Sequence, residues 1–264
     1  GAWPEGGDMA IDYEKQGHIA VVTLNRPEVM NCVNQADLEE LGRVWLDFRD
    51  DDGLRVAVLT GAGDKAFSAG ADLADLIPKI NAGELRLVPT NPAFLKGIDC
   101  FKPIVAAVNG FCLAGGTEIL QGTDIRLAVP EAMFGIPEVK WALFPAAGST
   151  VHLPRQIPYC WAMEMLLLGE PITAQQALAI GLINRIVPRE ELMTTAMGIA
   201  ERLCANGPLA LRAIKEAALK SLDIPMQHAY YLETYLASRV FGTRDAAEGP
   251  RSFIEKRKPV YEGR

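Results

Sequence analysis

The chain has little of what metal and redox chemistry usually requires. Among its 264 residues there are five cysteines and three histidines. Cys32, Cys100, Cys112, Cys160 and Cys204 are far apart, odd in number and without a C-x-x-C pair. That pattern excludes a disulfide framework or a cysteine zinc site and predicts free thiols in a reducing cytosol. His18, His152 and His228 are isolated and lack the H-x-x-x-H spacing of a metal site. Positive charge is in deficit, 26 Lys and Arg against 33 Asp and Glu. A nucleic-acid partner, which needs a basic face, is therefore not expected. A small anion remains possible, since a local patch or main-chain amides can hold one. No apolar run approaches the roughly 20 residues of a membrane helix, and residues 103–116, the most apolar stretch, are interrupted by Asn109 and several glycines. The start, GAWPEGGDMAIDYEK, lacks the apolar segment of a signal peptide. Residues before Met9 read as an appended or floppy extension, and a soluble, cytoplasmic protein is expected. Also missing are G-x-G-x-x-G after the first strand, a phosphate-binding G-x-x-x-x-G-K-[ST] loop, and the G-x-S-x-G of hydrolases.

What is present is an ordinary globular balance, 49% hydrophobic and 22% charged. Residues 18–24 (HIAVVTL), 55–60, 103–108 and 124–129 are short apolar, β-rich runs bounded by turn residues, and predict buried strands. Between the first two, Asn34 offers an N-cap, and Leu38, Leu41, Trp45 and Phe48 recur at helical spacing. A short helix is predicted near 118–121. Near-continuous apolar strands joined by helical crossovers imply sheets covered on both faces, hence an α/β fold. Beyond about residue 150 the strand signal fades, and 162–168, 174–180, 190–204 and 209–222 read as helices.

Two glycine-punctuated segments follow strands: AFSAGADL at 66–73 and VNGFCLAGGTEIL at 108–120. Their small residues, Ala69-Gly70-Ala71 and Ala114-Gly115-Gly116, let a ligand approach the main chain. Two converging N–H groups aimed at one carbonyl oxygen would form an oxyanion hole. From the residues alone, the same glycines serve tight turns and close packing equally well. Glu118, in the first turn of the second segment's helix, and Glu138, in the apolar text FGIPEV, are acids costly to bury without partner or purpose. Such a pair suits proton transfer next to a carbonyl. Glu118 could also merely complement the helix dipole, and Glu138 could lie on a surface loop.

At this point the chain resembles the crotonase superfamily, the enoyl-CoA hydratase/isomerase family, over residues 10–264. The landmarks run in family order: LNRPEVMN, VAVLTGAGDKAFSAGADL, KPIVAAVNGFCLAGGTE, FGIPEV with FPAAGS after it, GLINRIVP, and EGPRSFIEKRKP. The resemblance implies a spiral of ββα units over 9–198, binding a CoA ester and carrying the chemistry. It also implies a helical region over 199–264 that packs trimers, often paired into hexamers. It carries the two oxyanion amides onto Ala71 and Gly115 and the two catalytic glutamates onto Glu118 and Glu138. Ala69, Gly70, Asp72, Leu73, Gly116 and Trp141 are expected to border the substrate, with Leu76, Ile77 and Phe94 as candidate walls of the acyl pocket. The implied activity is hydration of a trans-2-enoyl-CoA to 3-hydroxyacyl-CoA in fatty-acid or related acyl-CoA breakdown. No metal or other cofactor is expected, coenzyme A being part of the substrate. The alternatives are an enoyl-CoA isomerase, another acyl-CoA lyase or hydrolase, or a silent CoA-ester- or RNA-binding member; the retained acid pair and the net charge of −7 oppose the silent member. The sequence departs from the family pattern in places. Ala74 stands where a basic residue often follows the GAD motif, Ala114 replaces a frequent glycine, Trp141 and Ala142 a frequent Leu and Gly, and PAAGS, with Ala146 and Ser149, the more usual PGAGG. Lys256, Arg257 and Lys258 are candidates to meet CoA phosphates.

Overall fold

A computed structural model describes residues 10–264; the extension before Met9 lies outside them. The four expected strands are all present, as β2 (Ile19–Leu24), β3 (Val56–Gly61), β5 (Ile104–Val108) and β7 (Ile125–Ala128). They lie side by side and parallel in a six-stranded sheet, in which β1 (Ile11–Gln16) flanks β2 antiparallel and β10 (Arg185–Ile186) flanks β7 parallel. β3 and β5 are buried along their whole length.

A second sheet went unseen in the sequence. It orders β4 (Ala66–Ser68), β6 (Phe111–Leu113), β8 (Met133–Gly135) and β9 (Ile172–Thr173). Successive strands therefore alternate between sheets: β3 to β4, β5 to β6, β7 to β8. Each pair advances one position in both sheets, which is a spiral of repeated turns. The covered-sheet expectation holds for the core, and the winding is the spiral that the family resemblance implied.

Helix α1 (Gln35–Asp50) starts where Asn34 indicated. The Asn34 side chain accepts the Asp37 N–H and the Asp37 carboxylate accepts the Asn34 N–H, both at 2.9 Å, a reciprocal cap. Leu41, Val44, Trp45 and Phe48 fill the core side. At the other end the buried Lys102 Nζ donates to Phe48 O at 2.7 Å and Asp51 O at 2.6 Å, satisfying carbonyls that the helix leaves open.

The other helices of the body are α2 (Leu73–Asn81), α3 (Gly115–Gln121), α4 (Ser149–Gln156), α5 (Tyr159–Leu168), α6 (Ala174–Ala179) and α7 (Leu192–Cys204). The division expected after residue 198 falls inside α7, whose Ile199 and Ala200 are buried in the main core. α8 (Pro208–Lys220) follows α7. Beyond α8 come α9 (Met226–Phe241) and α10 (Arg244–Ile254). α8 has no buried residue and α9 only Leu236. Lys215 of α8 ties this arm to the body through Asp124 at 2.7 Å. No helix among the described residues is long and apolar enough to cross a membrane.

Candidate active site

The register of the small sheet decides where the functional groups go. β4, β6 and β8 are parallel, with Ser68 beside Cys112 and Leu113 beside Gly135. Their C-terminal ends therefore stand in a row. From these ends leave the segments carrying Ala71, then Gly115 and Glu118, then Glu138. Three turns of the spiral each deliver one part of the site.

Ala71 is set by a main-chain bridge to Val33. Val33 N–H donates to Gly70 O at 2.9 Å and Asp72 N–H to Val33 O at 2.8 Å. In such pairing alternate residues face opposite sides, so the Ala71 N–H is turned away from Val33. On the neighbouring turn, Ala114 N–H donates to Gly135 O at 2.9 Å, fixing the start of α3 and its first residue, Gly115. A Cβ on Gly115 would lie 3.4 Å from the Ala71 nitrogen, which places the two amides next to each other. Neither N–H has an acceptor among the described residues.

Glu118 is only 4% exposed. It accepts the Ser149 N–H, the first of α4, on Oε1 at 3.1 Å. Burial pushes its pKa up to about 7, with the Glu138 charge acting in the same direction and donors from Ser149 and Ala147 opposing. Glu138 lies on the 3-10 turn Pro137–Trp141. Burial raises its pKa as well, and its Oε2 is buried without a hydrogen-bond partner. The acids that the sequence left twenty residues apart thus act on one another electrostatically. Each is a carboxyl group whose proton is held more tightly than in water.

Both open on a cavity of about 950 Å³. Ala69, Ala71, Asp72, Leu73, Gly115, Glu118, Glu138 and Trp141 border it, as do Leu76, Ile77 and Phe94. Trp141 stands at the rim, 68% exposed. Asp72 caps α2, accepting the Ala74 N–H at 3.2 Å, and lies 3.6 Å from Arg26. Gly70 and Gly116 are placed differently from expectation, since neither borders the cavity. A Cβ on Gly116 would come within 2.3 Å of Ser68 O, and one on Gly70 within 2.8 Å of the Gly115 nitrogen. They let one turn of the spiral approach the next, not a ligand approach the chain. Arg257, an expected phosphate contact, is occupied by Glu248 and Glu255. Lys96, which borders the cavity and donates to Ala146 O at 2.7 Å, and Ser149 were not singled out. Only the departure of PAAGS from PGAGG pointed toward Ser149. Among the described residues, no group of three or more His, Cys, Asp or Glu side chains is placed to hold a metal ion.

Comparison with known proteins identifies the family and the fold. Residues 14–264 match the family model described as enoyl-CoA hydratase/isomerase. The chain is 42% identical to enoyl-CoA hydratase EchA19 of Mycobacterium tuberculosis, with 98% of both chains covered. It is 38% identical to (E)-benzylidenesuccinyl-CoA hydratase of Thauera aromatica, covering 97% of this chain and 100% of that one. The crystal structure of enoyl-CoA hydratase from Bacillus anthracis superposes with a TM-score of 0.89 at 34% identity, over 97% of this chain and 100% of the other. With the whole fold and nearly the whole sequence shared, this chain belongs to the enoyl-CoA hydratase/isomerase family.

Proposed function

We propose that this chain is an enoyl-CoA hydratase acting on trans-2-enoyl-CoA thioesters. The observation that carries the reading is the pair Glu118 and Glu138, both with raised pKa, opening on one cavity beside two unpaired main-chain N–H groups. The thioester oxygen would accept from Ala71 N–H and Gly115 N–H, which become stronger donors as negative charge gathers on it. Glu118, as carboxylate, would take a proton from water while the water oxygen bonds to C3. The electron pair of the double bond passes to the thioester oxygen as an enolate, and protonated Glu138 gives its proton to C2. One proton is taken and one is given, so the pair returns to its starting state when the proton passes from Glu118 back to Glu138. The two acids titrate as a unit. Because the enolate charge rests on main-chain donors, this mechanism calls for no cofactor. The largely apolar walls from Leu76, Ile77 and Phe94 suit the acyl chain.

The same reading takes the chain as a cytoplasmic enzyme of acyl-CoA breakdown, assembled as a homotrimer or a pair of trimers. Exposed Ile214 and Leu219 on α8 and Tyr231, Tyr235 and Phe241 on α9 support that assembly.

Loss of the conjugated-enoyl absorbance tests the activity. Trans-2-enoyl-CoAs of short, medium and long chain are expected to lose it as 3-hydroxyacyl-CoA forms. Reaction of 3-enoyl-CoAs alone, with absorbance appearing, would replace this reading by the isomerase one.

A further inference from the structure

Ser149 is fully buried at the head of α4 and gives Glu118 its main-chain N–H. Its side chain faces the same acid. The hydroxyl oxygen accepts from Gln121 Nε2 at 2.9 Å. A serine hydroxyl has a single hydrogen to give. With Gln121 donating to its oxygen, that hydrogen is left for the Glu118 carboxylate, whose Oε1 already accepts the N–H of the same residue and whose charged form the serine side chain favours.

Gln121 is itself fixed. It lies three residues after Glu118 on α3, at the spacing that shares a helix face, and is 2% exposed. Its main-chain oxygen accepts from Gln156 Nε2 at 2.8 Å and from Arg126 at 3.1 Å. Its side-chain Oε1 is buried without a partner. Turning the amide over would draw the serine hydrogen to Gln121 and take it from Glu118. Leaving a neutral carbonyl short of a donor costs less than leaving a carboxylate short of one, which favours the orientation seen.

We infer that Ser149 is a positioning residue for the proposed reaction: with Gln121 orienting its hydroxyl, it clamps the Glu118 carboxylate at the cavity wall with two donors from one residue. The inference rests on Glu118 being the base that activates water. Of the ionisable groups around this end of the site, Glu138 faces Glu118 from the 137–141 turn and disfavours its charge. Lys96 is engaged by Ala146 O. Arg126, behind α3, is spent on main-chain oxygens and Gln156. His152, one turn along α4, has its proton disfavoured first by burial and then by Arg126, Arg155 and Lys96, with Asp223 opposing. The Ser149 hydroxyl and N–H, with the Ala147 N–H, are thus what offsets burial at Glu118.

Ser149→Gly removes the hydroxyl and keeps the N–H; Ser149→Ala does the same with a smaller void. In both, the acidic limb of kcat/KM against pH for enoyl-CoA hydration is expected to move up by about one pH unit, the effect of one hydrogen bond to a charged group. Rates well below the midpoint then fall about tenfold, while the alkaline limb, set by loss of the Glu138 proton, stays in place. The infrared carboxyl band that Glu118→Gln abolishes, titrated without substrate, should show the same shift. A limb and band that stay in place in both variants would overturn the inference. So would a lowered maximum with an unmoved acidic limb, the mark of a merely structural role. Should the protein hydrate no enoyl-CoA, the infrared titration still decides the clamp, and the reading of Glu118 as base fails separately.

Discussion

Ala114 shows how much local strain the site requires. Its φ of 50° and ψ of −127° belong to a region that glycine enters freely and alanine does not, at a cost of about 1–3 kcal/mol. That turn carries the chain from β6 into α3 and brings the Gly115 N–H beside Ala71. Gly70, at φ +100°, completes the contact from the other side, where a Cβ would lie 2.7 Å from that of Ala114. Ala114→Gly is therefore expected to raise stability in denaturant unfolding by about 1 kcal/mol, the strain relieved less the added freedom of the unfolded chain. Gly70→Ala should lower it by about 2 kcal/mol or more. Equal stability in all three proteins would contradict this account of the turn.

Among the elements, length and burial determined what the sequence could show. Helix α1 announces itself through Asn34 at its head and Leu41, Trp45 and Phe48 on one face. Strands β2, β3, β5 and β7 announce themselves as buried apolar runs. Strands β4, β6 and β8 are three residues each, too short for a periodic pattern, yet they set the row from which every site group departs. Helix α2 was hidden by Pro78 in its interior. Helix α9 was missed because most of its apolar side chains are exposed in the single chain, so its pattern fits no core. The glutamates were visible as buried-acid candidates, and the family landmarks assigned their roles. Their mutual approach depends on the β6–β8 register, a long-range pairing that no local spacing encodes. Gly70 and Gly116 were read as ligand contacts because a glycine that admits a ligand and one that admits a neighbouring strand look alike in text.

For the whole molecule, the spiral shows how the proposed hold on a thioester oxygen can do without a basic face. Its net charge of −7 speaks against polyanions, whereas the proposed hold on substrate is made by main-chain donors whose positions are fixed by successive turns. The apolar side chains displayed on α8 and α9 are the surface on which the proposed trimer rests. Light scattering at micromolar concentration is expected to give a mass three or six times 28.7 kDa; a stable single-chain mass would contradict the trimer.

The central claim is that Glu118 and Glu138 act together, one on water and one on C2. Its most direct test is the hydration rate of a trans-2-enoyl-CoA by Glu118→Gln and Glu138→Gln against the parent protein. Each variant is expected to lose about 10²–10⁴-fold in kcat, the usual contribution of a general acid or base. Each should keep its fold, because glutamine preserves the shape of the buried side chain. Full activity in either variant would contradict the claim.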